Sequence, residues 1–173
     1  GNSVAMRAGY QAAARYPTAY YGQLALARLG RDGVELHAPS PAANADSMAA
    51  DERVRAADML YTIGEPDIVL YFAADLAEES PDVGMLEALG ELTGRRNDAR
   101  AMLQIGKIAL ARGFAFDHYA FPVIGIPRHS PIAPDIGRSM TYSIARTESA
   151  FDQRDKSAAN AVGLMQRSEE HTS

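Results

Sequence analysis

The sequence predicts an all-α fold whose first part is a curved antiparallel array of helices, a superhelical scaffold. Three observations carry this. Apolar residues recur at helical spacing through most of residues 1–113. Gly and Pro stand where those stripes stop. The links are mostly short, so consecutive helices must run back along one another, each burying one stripe on the next.

Residues 3–15 are Ala-rich and end before Pro17. Thr18 is placed to cap a second helix over 19–29, where Tyr20, Leu24 and Ala27 recur at i, i+4 and i+7 and Gly30 is the stop. Residues 31–50, with Pro39, Pro41 and many small residues, read as a loop. Residues 52–63 put Val54, Ala57 and Tyr61 on one face and stop at Gly64 and Pro66. Asp67 is placed to cap 68–78, with Ile68, Phe72 and Leu76 aligned. Ser80-Pro81 reads as an N-cap followed by Pro at the first helical position, opening 81–93. Asn97 opens 98–112, which ends at Gly113. Met85, Leu86, Leu89 and Leu92 form a stripe that core packing already explains.

Residues 114–134 hold Pro122, Gly125, Pro127, Pro131 and Pro134, which forbid a long helix. They read as an ordered linker in which Phe121, Val123 and Ile124 pack on a neighbour. A helix then runs over about 135–150 with Asp135 near its start. Residues 151–160 are polar and irregular, and a last helix starts near 160.

Composition narrows the function classes. Hydrophobic residues make up 47% and charged residues 23%, as in a globular protein. A net charge of -5 without a basic run argues against a nucleic-acid partner. The absence of Cys excludes disulfides and thiolate metal sites. No apolar run is long enough for a transmembrane segment. His37, His118 and His129 lie in loop contexts without metal spacing and read as surface or capping groups, and no phosphate-binding Gly-rich loop is present. No cofactor or metal is expected.

Chemistry concentrates in one segment: Arg146-Thr147-Glu148-Ser149-Ala150-Phe151-Asp152, then Ser157, then Asn160-Ala161-Val162-Gly163-Leu164-Met165-Gln166. Ile136, Met140 and Ile144 step along one helix face and Glu148 is the next step. A step of four drifts about 40°, which puts Glu148 at the edge of that stripe. Partial desolvation there would raise a carboxyl pKa and suit it to general-acid work. By helix position alone, a surface glutamate closing a helix is the simpler reading.

The segment resembles the start of the catalytic domain of soluble lytic murein transglycosylases, which has a lysozyme-like fold. The pattern is Glu-Ser-x-Phe, a loop with Ser, then Gly-Ala-x-Gly-Leu-Met-Gln. One position departs from it: Asn160 replaces a common Gly, and Asn tolerates positive φ. Tyr16-Pro17-Thr18-Ala19-Tyr20-Tyr21-Gly22-Gln23-Leu24-Ala25 and the stretch from Phe121 to Pro127 look like the same subfamily's upstream helical region.

The resemblance implies this organisation: a helical scaffold over 1–113, a linker over 114–134, and the first part of a lysozyme-like domain over 135–166. It also implies that Glu148 is the catalytic acid and then base. Ser157, Gln166 and Met165 would be substrate-binding, peptidoglycan glycan strands the partner, and the location periplasmic. Core packing for Met165, a turn or cap role for Ser157, a solvated charge for Arg146 and a loop cap for Asp152 stand beside these.

Two further expectations concern the ends. Gly1-Asn2-Ser3-Val4 lacks an initiator Met and a basic leader, and 167–173 look like a translated sequencing adapter, a non-native tail. The chain therefore reads as truncated at both ends. In the family the second wall of the site follows Gly-Leu-Met-Gln, so the chain as written is expected not to cut peptidoglycan. A hydrolytic muramidase and a non-catalytic helical-repeat scaffold are the competing functions.

Overall fold

The computed structural model describes residues 2–31, 33, 36, 51–128 and 137–168, and these are helical with no strand among them. The chain divides into two compact units, 1–38 and 39–173.

In the first unit, α1 (Asn2–Ala13) packs on α2 (Tyr20–Arg28). The buried face of α2 is Gly22, Ala25 and Leu26, not the expected Tyr20, Leu24 and Ala27, and Tyr20 is 71% exposed. Gly22 decides this. A Cβ there would lie 2.6 Å from the Tyr16 carbonyl carbon, so only glycine lets α2 approach the turn before it. Thr18 is not the cap. Ala19 holds that position and makes no side-chain bond.

The second unit contains α3 (Glu52–Thr62), α4 (Pro66–Glu79), α5 (Val83–Arg95), α6 (Ala99–Ala111), α7 (Asp117–Ala120) and α8 (Arg138–Glu148). Within α3 to α6, each helix packs on its successor and on the helix after that, so α3 lies on α5 and α4 on α6. Their ends follow from local chemistry. Gly64 (φ 84°), Asn97 (φ 56°) and Gly113 (φ 89°) take the left-handed conformation that closes α3, α5 and α6. In each case the next N–H donates to a carbonyl one turn back, as Asp98 N does to Thr93 O at 2.9 Å. Asp51, Asp82 and Asp98 cap α3, α5 and α6 through their side chains.

Three expected starts move. Pro66 occupies the first turn of α4, so the helix begins ahead of Asp67 and leaves that carboxylate free for ion pairs. Ser80 closes α4 instead of opening α5, which starts from Asp82. Asp98, not Asn97, caps α6.

The core gathers Val54 and Ala57 of α3, Leu86, Leu89 and Leu92 of α5, and Met102, Ile105 and Ala109 of α6. Tyr61 packs against its edge, as its stripe requires. On α4 the buried line is Val69, Ala73 and Ala77; Phe72 and Leu76 flank it and Ile68 is 48% exposed. The small residues let α4 lie close to α6.

Residues 114–128 hold the short α7. Phe116 and Tyr119 are buried, Ile124 packs on the core, and Val123 points outward. His118 lies within α7; His37 and His129 fall outside the described residues. The Tyr119 hydroxyl donates to Glu91 Oε1 at 3.0 Å, and burial and that carboxylate raise its pKa well above the ordinary phenol range. Gly106 of α6 lies against the backbone of Tyr119 and Ala120.

Helix α8 is shorter than the expected 135–150, and both Asp135 and Ile136 lie outside the described residues. The helix expected near 160 does not form. Asn160 (φ 62°), Gly163 (φ 76°) and Gln166 (φ 46°) are left-handed, which a right-handed helix cannot hold. The segment folds instead into turns with antiparallel bridges from Lys156 to Val162 and from Val162 to Arg167. Residues 169–173 lie outside the described residues.

Candidate active site

Helix α6 serves two cores. Met102, Ile105 and Ala109 face the first, while Ala99 and Leu103, one turn apart, join Ala145 and Phe151 in a second. Tyr142, Ile126, Leu164 and Met165 pack around this second core. It docks residues 138–168 onto the helices and thereby positions Glu148.

Glu148 is the last residue of α8. Its side chain is exposed and makes no hydrogen bond or ion pair with the described residues. The stripe expected to shelter it is itself open: Met140 is 59% and Ile144 39% exposed. Ala145 is the buried residue of α8. The desolvation argued from helix position is therefore not met.

The chain turns sharply after Glu148. Ser149 is buried, and its Oγ reaches the carbonyls of Ala145 (3.1 Å) and Leu164 (3.0 Å). Ala150 (φ 49°) and Phe151 (φ 67°) are both left-handed, a conformation that costs about 1–3 kcal/mol at each non-glycine residue. Burial of the Phe151 ring, 6.2 Å from that of Tyr142, offsets this.

Arg146 is not a solvated charge. Its Nε donates to Ala120 O at 2.9 Å and its guanidinium lies 4.6 Å from the Phe121 ring centre. Burial lowers its pKa from the ordinary guanidinium value. This side chain fastens α8 to the end of α7.

The other sequence candidates lie in the loop that follows. Ser157 Oγ accepts from Ala161 N at 3.0 Å, so it caps a turn while its hydroxyl proton remains able to donate. Gln166 Nε2 donates to Asp155 O (3.2 Å) and Gly163 O (3.0 Å), leaving Oε1 as an acceptor. Met165 packs in the second core, the structural role weighed for it. Asn160 takes the positive φ expected of it.

Asp152 caps the following turn, accepting from Arg154 N at 2.9 Å, and also pairs with Arg100 at 3.0 Å. Arg154 pairs with Asp67, and so does Arg100. The hydrogen bond from Arg154 lowers the Asp67 pKa. These groups line a groove of about 620 Å3 together with Tyr61 and Asp98. Glu148, Ser157, Met165 and Gln166 are not among its lining residues. Sequence reading missed Asp67, Arg100 and Arg154, because no local spacing links residues so far apart. No group of His, Asp and Glu among the described residues is placed to hold a metal ion.

Residues 133–173 match the family model of the transglycosylase SLT domain. The matched stretch contains α8, the turn after it, and Glu148, Ser157, Met165 and Gln166. It is a minority of the chain and a short part of that domain, and it indicates transglycosylase-type chemistry in general, with peptidoglycan as substrate. No curated protein and no solved structure matches the chain. Among the described residues, no helix is long and apolar enough to cross a membrane.

Proposed function

We propose that the chain belongs to a periplasmic lytic transglycosylase, in which Glu148 cleaves the β-1,4 bond between N-acetylmuramic acid and N-acetylglucosamine. The observation that carries the reading is the state of Glu148 within the matched segment. It is a carboxyl on a helix end with no partner among the described residues, held by a turn whose next aromatic residue is locked in a core. A carboxyl so placed has a free oxygen to offer a substrate from a fixed backbone position.

Protonated Glu148 gives its proton to the glycosidic oxygen as the C1–O bond breaks. The resulting carboxylate takes the proton of the muramyl C6 hydroxyl, whose oxygen bonds to C1. The product ends in a 1,6-anhydro ring, no water is consumed, and Glu148 is returned protonated. One carboxyl suffices. Asp152, the nearest other carboxylate in sequence, is engaged with Arg100 and the Arg154 amide. Ser157 and Gln166 each keep one hydrogen-bonding function for the sugar, and Met165 supports the loop from beneath.

The test is Glu148→Gln in the full-length protein, with muropeptides released from peptidoglycan read by mass. Gln keeps the shape and cannot transfer the proton. Turnover should fall by about 10²–10⁴-fold or more, with the fold and glycan binding retained. Activity within a few-fold of wild type would refute the assignment. Products carrying an added water would show a muramidase.

A further inference from the structure

Four charged side chains form a closed ring beside the turn after Glu148. Arg154 Nη2 donates to both carboxylate oxygens of Asp67, each at 2.8 Å. Asp67 Oδ1 also accepts from Arg100 Nη1 at 2.9 Å. Arg100 Nη2 reaches Asp152 Oδ2 at 3.0 Å. Asp152 Oδ1 accepts from the Arg154 backbone N–H at 2.9 Å, which closes the ring. Two members belong to the helices, Asp67 on α4 and Arg100 on α6; the other two belong to the turn.

The ring grips a part of the chain that little else fixes. Phe151 and the Ser149 hydroxyl anchor one side of the turn. Beyond them, Gln153 Nε2 makes one bond to Gly125 O at 3.3 Å. Asp152 N also donates to Ser149 O at 2.9 Å, so without the ring residues 152–155 keep the Phe151 anchor, this turn bond and the Gln153 bond. Their position matters downstream, because Asp155 O accepts from Gly163 N (2.9 Å) and from Gln166 Nε2 (3.2 Å). A shift of 152–155 therefore moves the loop bearing Ser157 and Gln166 relative to Glu148.

We infer that Asp67 and Arg100 are positioning residues: through Asp152 and Arg154 they set the placement of the 155–166 loop against Glu148. The ring exists whatever the chemistry; its catalytic meaning rests on the lytic transglycosylase reading. An isolated exposed ion pair contributes little. Here two carboxylates each serve two donors; Arg100 and Asp152 are 28% and 23% exposed, while Asp67 and Arg154 are 47% and 70% exposed, so the sharing of donors and the sheltered half of the ring carry the geometry.

Hydrogen exchange on the full-length protein tests the ring without needing turnover. Asp67→Asn should raise exchange at the Asp155, Ser157 and Gly163 amides by about two- to five-fold, the range of a modest network contribution. The α5 amides should not change. Arg154→Ala should do the same and Arg154→Lys should largely restore protection, because the cation is what the ring requires.

On peptidoglycan, Asp67→Asn should lower kcat/KM by a similar factor, because the displaced loop bears Ser157 and Gln166, and Arg154→Lys should largely restore it. Unchanged exchange in 155–163, or a rise spread evenly over the unit, would overturn the inference. Unchanged kcat/KM beside raised exchange in 155–163 would overturn it too, by separating the ring from the site. If Glu148→Gln keeps full turnover, the lyase reading fails and the exchange results still decide the ring.

Discussion

Replacing Gly106 by alanine should destabilise the second unit although it removes a glycine from a helix interior. The new Cβ would lie 2.2 Å from Ala120 N, 2.5 Å from the Tyr119 carbonyl carbon and 2.6 Å from Ala120 Cα. All three are backbone atoms, so no rotamer change relieves the clash. Carbon contacts are comfortable near 3.5–4 Å, so α7 must retreat by about an ångström or more. That retreat draws Tyr119 and Phe116 out of the core and moves the Ala120 carbonyl that Arg146 holds.

Overpacking of this kind costs about 1–3 kcal/mol, and a backbone obstacle belongs at the upper end. Helix propensity returns about 1 kcal/mol for Gly→Ala. The net loss is about 2 kcal/mol, or roughly 8 °C in Tm at about 4 °C per kcal/mol for a unit of this size. Gly94→Ala is the control, because there the Met102 sulfur at 4.0 Å is the nearest neighbour. Thermal melts by far-UV circular dichroism should move in opposite directions for the two variants. A Gly106→Ala protein melting at or above wild type would refute the argument.

Two other changes follow from named contacts. Arg146→Ala should cost about 1–2 kcal/mol by removing both the bond to Ala120 O and the contact with Phe121, and Arg146→Lys should recover little of it, since a lysine lacks the planar donor; urea unfolding of the three proteins checks this. The Arg53 hydrogen bond lowers the Asp51 pKa from the ordinary 3.8 to about 2, so its stabilisation is complete above about pH 3.8 and is lost as pH falls towards 2; Asp51→Asn should flatten the unfolding midpoint across that window.

The helical class and the approximate helix spans were legible because the stripes are long and Gly64 and Gly113 end them unambiguously. Val54, Ala57 and the Leu86–Leu89–Leu92 line were legible for the same reason. Caps were harder, because several residues near each link are competent. Asp82 and Asp98 take the roles that Ser80 and Asn97 also suit, and Pro66 pre-empts Asp67. Buried faces shifted by one position where small residues face a neighbour, as at Val69, Ala73 and Ala77. A hydrophobicity pattern favours the large residue, whereas close packing favours the one that fits.

In the candidate site, the motif pointed to Glu148 and the segment after it, but periodicity misjudged the shelter of Glu148, since Met140 and Ile144 are exposed. Arg146 looked solvated because its partners, Ala120 and Phe121, lie 25 or more residues away. The ring through Asp67 was out of reach for the same reason, since it joins positions 87 residues apart.

The consecutive left-handed residues Ala150 and Phe151 divide labour along a very short stretch of chain. Before them the backbone presents a carboxyl to solvent; the second of them delivers its own aromatic ring to the interior. On the proposed function, folding and chemistry thereby fall to different residues of one turn. Substitution at Glu148 touches no packed neighbour and is nearly free to drift, while Phe151 is constrained by everything around it. If Glu148 carries the proposed reaction, a descendant of this chain can lose it in a single step and still be a well-folded protein, so a preserved fold here says little about a preserved activity.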